Sequence, residues 1–315
     1  MQATQTQSRA VPALDERARA ARRRQHEIRQ FLLGMAFLVP SLIVFVVFVF
    51  YPVARSIYLS TYLTDPLGRP SVFVGTEIYT DLLRDPQFLN SIWVSIKLTL
   101  LIVPALIVLA LALAVLANRL LRGIGFFRFL YASTISISTA IASTIFLLMF
   151  SFQIGTINYL LSLIGVKPVP WLLSPEWAPV SIAIATIWST LGFTFIVLLS
   201  GMQGIPEELY ESAALDGAHG WSLFRHITVP LLSPTLFFLI VVSTIAVFQA
   251  FTQIYVMTKG GPSDSTYSIV YSIYEEAFIR FQFGSASAQA VILFIIMLSL
   301  TIIQFRVIER RVHYG

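Results

Sequence analysis

The sequence predicts an all-α integral membrane protein with six transmembrane helices, and two observations support this fold class. First, 57% of the residues are apolar and 12% are charged, whereas a soluble domain is about 45–50% apolar and about 25% charged. With a mean hydropathy of +0.79, the chain has more apolar surface than a soluble fold can bury, so lipid must cover part of it. Second, six apolar segments are each long enough to cross a ~30 Å hydrocarbon core, which takes about 20 helical residues.

The six predicted spans alternate with polar connections. They are Phe31 to Tyr51, Ile92 to Leu116, Phe129 to Phe150, Ala178 to Ser200, Thr235 to Met257 and Ala286 to Phe305. The first span is too long for the apolar part of a cleavable signal peptide, and no Ala-x-Ala-like site follows it. Pro40 and Pro104 lie inside spans, where they predict kinks that neighbouring helices can accommodate.

The spans form one membrane domain, residues 31–307, with a short flank at each end. Residues 1–30 make a basic arm that is expected to be mostly disordered, because it lacks apolar periodicity. An alternative role for this arm is that its run Arg22–Arg24 binds anionic lipid headgroups. Residues 308–315 form a tail.

Arginines indicate the orientation of the spans. They cluster before the first span, between the second and third, and after the sixth: Arg17, Arg19, Arg22, Arg23, Arg24, Arg29, Arg119, Arg122, Arg128, Arg306, Arg310 and Arg311. Because cytoplasmic flanks are enriched in Lys and Arg, both termini and the loop between the fourth and fifth spans are expected in the cytoplasm of a bacterial or archaeal cell. On the other side, residues 52–90 are expected to include a short helix near Ile78 to Leu83. Prolines in residues 153–177 argue against a continuous helix there.

The cytoplasmic loop, residues 206–234, is polar and helix-forming. Pro206 suits the first turn of a helix, and Glu207 and Glu208 would then lie at the positive end of the helix dipole. Gly217 fits either a left-handed helix stop or a close backbone approach to a neighbour. A second short helix is predicted from Trp221 to Thr228.

The same loop carries a motif. Glu211-Ser-Ala-Ala-Leu-Asp-Gly217-Ala, followed by Ile227-Thr-Val-Pro230, resembles the EAA loop of importer-type ABC permeases, with Ser212 in place of the usual Ala and Val229 in place of Leu. The resemblance implies a coupling helix that sits in a groove of an ATP-hydrolysing subunit. The residues implied in coupling are Glu207, Glu208, Glu211, Ser212, Ala213, Asp216, Gly217, Ile227 and Pro230. Without the motif, the loop would read equally well as an amphipathic segment at the membrane surface.

Two further stretches extend the resemblance. Phe251 to Pro262 is similar to the end of the fifth core helix in sugar-type permeases, with Thr252 where that family commonly has Asp. Ser285 to Gln289 and the tail from Gln304 to Tyr314 look like the same branch, which includes glycerol-3-phosphate importers. The resemblance therefore implies a type I importer permease that pairs with a second permease, two copies of an ATP-binding subunit and an extracytoplasmic solute-binding protein.

Other classes of protein lack their motifs in this chain. No Gly-x-x-x-x-Gly-Lys-Ser/Thr phosphate loop is present, so ATP hydrolysis is expected in a separate chain. The central parts of the spans hold no Asp, Glu or His, which argues against a membrane enzyme and disfavours the alternative of a secondary transporter with a carboxylate relay. With no cysteine and no His-Glu-x-x-His spacing, neither a metal nor another cofactor is expected. The net charge of +5 is interpreted as a topology signal rather than a nucleic-acid signal.

Polar side chains inside the fourth and fifth spans predict the substrate path. The candidates are Trp188, Gln249, Thr252, Gln253 and Tyr255. Gln249 and Gln253 are four residues apart and would project from one face of a helix, either bonding to neighbouring helices or facing a wet cavity. Because the spans carry almost no cation apart from Lys97, and phosphate is best held by Arg, Lys or helix N-termini, a neutral mono- or oligosaccharide is expected. Glycerol-3-phosphate or a glycerophosphodiester is the alternative.

Overall fold

The computed structural model describes residues 13–118 and 122–308, and most of them are helical. Four helices of this part of the chain are long and apolar enough to cross a membrane: His26–Leu59, Pro86–Ala117, Trp177–Gln203 and Phe283–Val307. Two bent pairs, Ile124–Ser136 with Thr139–Met149 and Trp221–Leu231 with Ser233–Phe248, bring the number to six if each pair is one span. The predicted all-α membrane fold is confirmed.

The described residues divide into two compact units, one ending at Ser56 and the other beginning at Ile57. The first unit is helical: α1 (Ala13–Phe45) contains Pro40, and a π turn (Val46–Phe50) leads into α2 (Tyr51–Leu59), within which the boundary between the units falls. The arm was expected to lack structure up to residue 30, but the helix already begins at Ala13, because this stretch is rich in Ala, Arg and Glu, which are strong helix formers. Residues 1–12 of the arm and 309–315 of the tail lie outside the described residues.

A small hairpin follows α2. Its elements are β1 (Tyr62–Thr64), antiparallel to β2 (Pro70–Phe73), and the helix α3 (Glu77–Leu82) comes next. The Asp65 carboxylate closes the turn by accepting the backbone N–H of Leu67 at 3.0 Å and of Arg69 at 2.7 Å, and Gly68 supplies a left-handed residue. The short helix expected near Ile78 is present, whereas the hairpin was not predicted.

Helices α4 (Pro86–Ala117) and α8 (Trp177–Gln203) extend the second and fourth predicted spans at both ends. Asp85 caps α4 by accepting the backbone N–H groups of Gln87 and Phe88, which accounts for the earlier start. Alanines at four- and three-residue spacing on α4 are fully buried in a cluster with large side chains of α8. Small residues allow two membrane helices to approach closely.

The third span is not the single helix predicted for Phe129 to Phe150. Helix α5 (Ile124–Ala132) ends in a 3₁₀ turn (Ser133–Ser136), and α6 (Thr139–Met149) leaves at 101° to it. Ser138 caps α6 by accepting the N–H of Ile141, and the Thr134 hydroxyl accepts the N–H of Gly192 in α8 at 2.9 Å. Clustered hydroxyls bend this span because they offer the backbone alternative hydrogen-bond partners.

The connection between α6 and α8 holds one short helix, α7 (Thr156–Leu163). The buried amide of Asn158 fixes the rest: its Nδ2 donates to the carbonyls of Phe152 and Val169, and its Oδ1 accepts the Val169 N–H and the Trp171 indole N–H, both at 3.0 Å. A continuous helix is absent from this described stretch, in agreement with its prolines.

In the C-terminal part of the fold, the predicted fifth span is interrupted. The elements of this part are α12 (Ser233–Phe248), α13 (Thr252–Met257), α14 (Ile269–Tyr274) with a following π turn (Glu275–Ile279), and α15 (Phe283–Ile308). The fifth span was predicted as one helix from Thr235 to Met257, and that prediction is wrong between Phe248 and Thr252. The sixth prediction, Ala286 to Phe305, agrees with α15.

Candidate functional site

The loop between α8 and α12 begins with a short exposed helix, α9 (Glu207–Leu215). Pro206 is its N-cap, one residue earlier than a proline in the first turn, and the acidic Glu207 and Glu208 form that turn. Negative side chains are favourable at a helix N-terminus because they face its unpaired N–H groups. The sequence therefore sets the start of this helix.

The end of α9 is a Schellman motif. The N–H of Gly217 donates to the carbonyl of Ala214 at 3.0 Å, and the N–H of Ala218 donates to that of Ala213 at 2.9 Å. Gly217 has a φ of +85°, and a Cβ at this position would meet no atom within 4 Å. Within this chain the glycine is therefore needed for its left-handed backbone, and of the two readings of Gly217 the helix stop is the one observed.

The candidate coupling residues divide into two groups. Those with exposed side chains or backbone lie on the outer face of α9 and at its end: Glu207, Glu208, Glu211, Ser212, Asp216 and Gly217. Ala213, Ile227 and Pro230 are half-buried and pack the loop from inside. The exposed group is strongly acidic and is open to contact by another molecule.

The second half of the loop is helical for longer than the predicted Trp221 to Thr228. It consists of α10 (Trp221–Leu223), a π turn (Phe224–Thr228) and α11 (Val229–Leu231). A hydrogen bond of 3.1 Å joins the Tyr210 hydroxyl on α9 to the Thr228 hydroxyl. Sequence reasoning missed this pair; the available signal was the position of Tyr210 three residues before the half-buried Ala213, on the inner face of α9.

The candidates for the substrate path lie around the interruption of the fifth span. Gln249 follows the last residue of α12 and is exposed, whereas Gln253 lies in α13 and is 6% exposed. The two amides therefore do not share a helix face, because the helix stops between them. Thr252 is the first residue of α13 and Tyr255 lies one turn later with 40% of its surface exposed.

Aromatic rings surround this interruption. Phe251 lies 5.3 Å from Tyr255 and 5.0 Å from Tyr274, and Tyr255 lies 5.4 Å from Tyr274, all between ring centroids. Tyr271 joins the group through Phe251. Sequence reasoning missed Phe251, Tyr271 and Tyr274, because α14 is separated from α13 by an irregular segment and nothing in the spacing places it here. Ring faces and hydroxyls of this kind suit polyhydroxylated ligands.

Trp188 packs on the other side of this region. Its ring contacts that of Phe146 edge to face at 5.6 Å, and it adjoins the apolar cluster that contains Ile254 and Met257 of α13. The half-buried Trp188 therefore supports the interrupted span from within the core. Its indole is in the same part of the fold as the other candidates but is a packing residue in this conformation.

The chain from Tyr267 to Arg280 also carries charged side chains and two tyrosines with shifted pKa values. Arg280 pairs with Glu275 at 3.0 Å and with Glu276 at 3.3 Å. Burial raises the pKa of Tyr267 and of Tyr271 above the ordinary tyrosine value, so both hydroxyls stay neutral at physiological pH. Among the described residues no group of three or more His, Cys, Asp or Glu is arranged to hold a metal ion.

Comparison with known proteins finds relatives that match nearly the whole chain. The model of the family described as "Binding-protein-dependent transport system inner membrane component" matches residues 18–314. The sn-glycerol-3-phosphate transport system permease protein UgpA of Agrobacterium fabrum is 38% identical over 285 residues, which are 90% of this chain and 97% of that protein. The sulfoquinovosyl glycerol transport system permease protein SmoG of the same organism is 32% identical, covering 96% of this chain and 99% of its own.

Solved structures give the same result for the fold. A bacterial ABC transporter involved in the import of the acidic polysaccharide alginate contains a chain with a TM-score of 0.78 and 25% identity, covering 91% of this chain and 99% of that one. A bacterial alginate ABC transporter in complex with an alginate pentasaccharide-bound periplasmic protein matches with a TM-score of 0.80 and 24% identity, over 92% and 98%. The chain is a multi-pass permease of the ABC importer type, and it belongs to the family of inner membrane components of binding-protein-dependent transport systems.

Proposed function

We propose that this chain forms half of the transmembrane pathway of an ATP-driven importer and docks an ATP-hydrolysing subunit through α9. The observation that carries the docking role is the acidic, exposed face of α9 in the loop between two spans, ended by the Gly217 motif. Tyr210 and Ala213 form the inner face of α9, whereas Glu207, Glu208 and Glu211 are exposed, so a partner surface is the natural counterpart of these acidic residues. A second permease, two ATPase copies and an extracytoplasmic binding protein complete the assembly.

The proposal places both termini and α9 in the cytoplasm. This orientation is supported by the distribution of arginines, which lie before the first span, in and next to the connection between α4 and α5, and at the end of α15. The connections on the other side, which contain the hairpin and α7, hold few basic residues. With this orientation α9 faces the compartment that contains ATP.

For the substrate, glycerol-3-phosphate or a related glycerol conjugate ranks first, on the similarity to UgpA and SmoG. A neutral carbohydrate ranks second, on the chemistry of the interrupted span. Gln249, Thr252 and Tyr255 with the surrounding rings present amides, hydroxyls and aromatic faces and no cation, and Lys97 lies over the Trp93 ring at 5.5 Å. The partner permease and the binding protein would supply the cations that an anionic substrate needs.

Transport in proteoliposomes tests the role. The assembled complex is expected to take up substrate only with ATP and with its binding protein, and Glu211→Lys should abolish substrate-stimulated ATP hydrolysis because it reverses a charge on the docking face. Glu77→Lys is a matched control, since Glu77 is an exposed glutamate in the first turn of α3. Full stimulation in the Glu211→Lys complex would contradict docking through α9, and ATP-independent uptake driven by an ion gradient would instead indicate a secondary transporter.

Two measurements test the substrate. Calorimetric titration of the binding protein with glycerol-3-phosphate, a glycerophosphodiester and neutral sugars ranks the ligands. Uptake by a Gln249→Ala/Tyr255→Ala double variant then tests the path, because both side chains are exposed at the interruption and are expected to contribute substrate hydrogen bonds. Binding of neutral sugars alone would reverse the ranking, and wild-type uptake by the double variant would exclude these two residues from the path.

A further inference from the structure

The hydrogen bond between Tyr210 and Thr228 joins the two helical parts of the loop across a short non-helical segment. Between α9 and α10 the chain runs through five residues, Asp216 to Gly220, that are outside regular helix and strand. Two of them, Gly217 and Gly220, have positive φ values and open space around the Cα. The Schellman hydrogen bonds hold Gly217 and Ala218 to the end of α9, which leaves Gly220 as the position where the backbone bends readily. The backbone alone would therefore let α9 rotate relative to the helix that follows.

The two hydroxyls bridge that connection. The Tyr210 hydroxyl and Thr228 Oγ1 lie 3.1 Å apart, Tyr210 is half-buried, and Thr228 is 5% exposed. A hydrogen bond withdrawn from water is stronger than an exposed one. The bond therefore fixes the inner face of α9 to the segment that enters the membrane domain.

Thr228 in turn belongs to a tightly packed junction. Its carbonyl accepts the N–H of Leu232 at 2.9 Å, and Leu232 is 1% exposed. Gly201 of α8 approaches so closely that a Cβ there would lie 2.8 Å from Leu232 Cδ1 and 2.9 Å from Thr235 Oγ1. Close-packed interiors transmit displacement with little loss, so a shift of Thr228 reaches both α8 and α12.

We propose that the hydrogen bond between Tyr210 and Thr228 is the strut that makes α9 and the helix entering the membrane move as one body. This proposal rests on the proposed docking of an ATPase on α9. Tyr210 and Thr228 are positioning residues: they touch neither substrate nor nucleotide, and they convert motion of the docked helix into motion of the spans. Without the bond, α9 moves with the ATPase, but less of that motion reaches the spans.

The test is the number of substrate molecules transported per ATP hydrolysed by the assembled complex. Tyr210→Phe and Thr228→Val each remove one hydroxyl and keep the side-chain volume nearly constant. Each is expected to lower that ratio by about two- to tenfold, the range that one hydrogen bond covers, while the ATPase still co-purifies. The double variant should fall no further than the worse single variant, and Thr228→Ser should retain the wild-type ratio because it keeps the hydroxyl.

An independent readout uses the absence of cysteine from the chain. Spin labels on Ser212→Cys and Ser222→Cys, two exposed positions on either side of the glycine turn, report the distance between α9 and α10. Tyr210→Phe should broaden the distance distribution, and the unaltered pair should give a narrow one. An equal width in both proteins overturns the strut.

The outcomes separate the strut from the docking role. If Glu211→Lys releases the ATPase but Tyr210→Phe leaves the transport ratio unchanged, the strut is wrong and docking stands. If Glu211→Lys leaves the ATPase bound and stimulated, docking through α9 fails, whatever the spin labels report. Additive losses in the Tyr210→Phe/Thr228→Val double variant also overturn the strut, because two residues that act through one bond cannot lose it twice.

Discussion

Gly217 offers a quantitative test of how the candidate coupling helix ends. Its φ of +85° is a left-handed backbone conformation with no atom within 4 Å of an added Cβ, so the cost of Gly217→Ala is conformational rather than steric. The left-handed conformation costs an ordinary L-residue about 1–2 kcal/mol. Since 1.4 kcal/mol is a factor of ten, the native helix end would be depopulated about 5- to 30-fold relative to its alternatives.

Gly217→Ala would thereby weaken the two backbone hydrogen bonds that end α9, from the N–H of Gly217 to the carbonyl of Ala214 and from the N–H of Ala218 to the carbonyl of Ala213. Gly217→Asn is the informative companion, because Asn tolerates the left-handed region far better than Ala does. Substrate-stimulated ATP hydrolysis of the reconstituted complex should therefore rank glycine first, asparagine second and alanine last. Global thermal stability should be nearly unchanged, because the motif lies in an exposed loop.

Gly165→Ala is a matched control, since Gly165 also has a positive φ, of +77°, and open space, but follows α7 in another connection. It should leave ATPase stimulation intact. The reasoning is refuted if asparagine damages coupling more than alanine does. Side-chain size would then be the constraint, and the glycine would be required for the close approach of a partner.

Two further predictions concern packing inside the chain. Gly192→Ala should lower the stability in detergent by about 1–3 kcal/mol, because the added Cβ would lie 2.5 Å from Thr134 Oγ1. The control is Gly125→Ala, since Gly125 is a helical position in open space. Equal losses of stability in the two variants would contradict the close packing at Gly192. Asn158→Ala removes four hydrogen bonds, each worth about 0.5–1.5 kcal/mol, and should expose Trp171. A red shift of tryptophan emission that disappears in a Trp171→Phe background would confirm this, and an unchanged spectrum would contradict it.

The sequence was most informative where an apolar run coincides with an uninterrupted helix. The second, fourth and sixth spans were placed to within six residues at each end, because each apolar run there coincides with one continuous helix. Their true ends are set by caps such as Asp85, which satisfies two backbone N–H groups that a hydropathy window does not see. The start and end of α9 could be anticipated for a similar reason: the proline, the acidic residues and the glycine of this loop are local signals that act on their own neighbours.

The sequence failed where tertiary hydrogen bonds override an apolar run. In the third span the Thr134 hydroxyl accepts the N–H of Gly192 from a helix 58 positions away, and no local pattern reveals that partner. In the fifth span the residues from Gln249 to Phe251 remain apolar enough to pass as helix, although the helix stops at Phe248. Tyr271 and Tyr274 of α14 pack against Phe251 at this break, and their position there depends on the whole fold.

The two interrupted spans meet in one place, which explains why the chain tolerates them. Phe146 of α6 and Ile254 of α13 belong to the same buried cluster, so the bend of the third span supports the break in the fifth. Non-helical backbone at membrane depth is stable only where protein buries it or a wet cavity receives it. Gln249 and Tyr255 are nevertheless exposed at the break, and lipid cannot satisfy an amide or a phenol. We expect the face that carries them to meet the partner permease or water, and uptake by the Gln249→Ala/Tyr255→Ala variant tests whether this face also contacts the substrate.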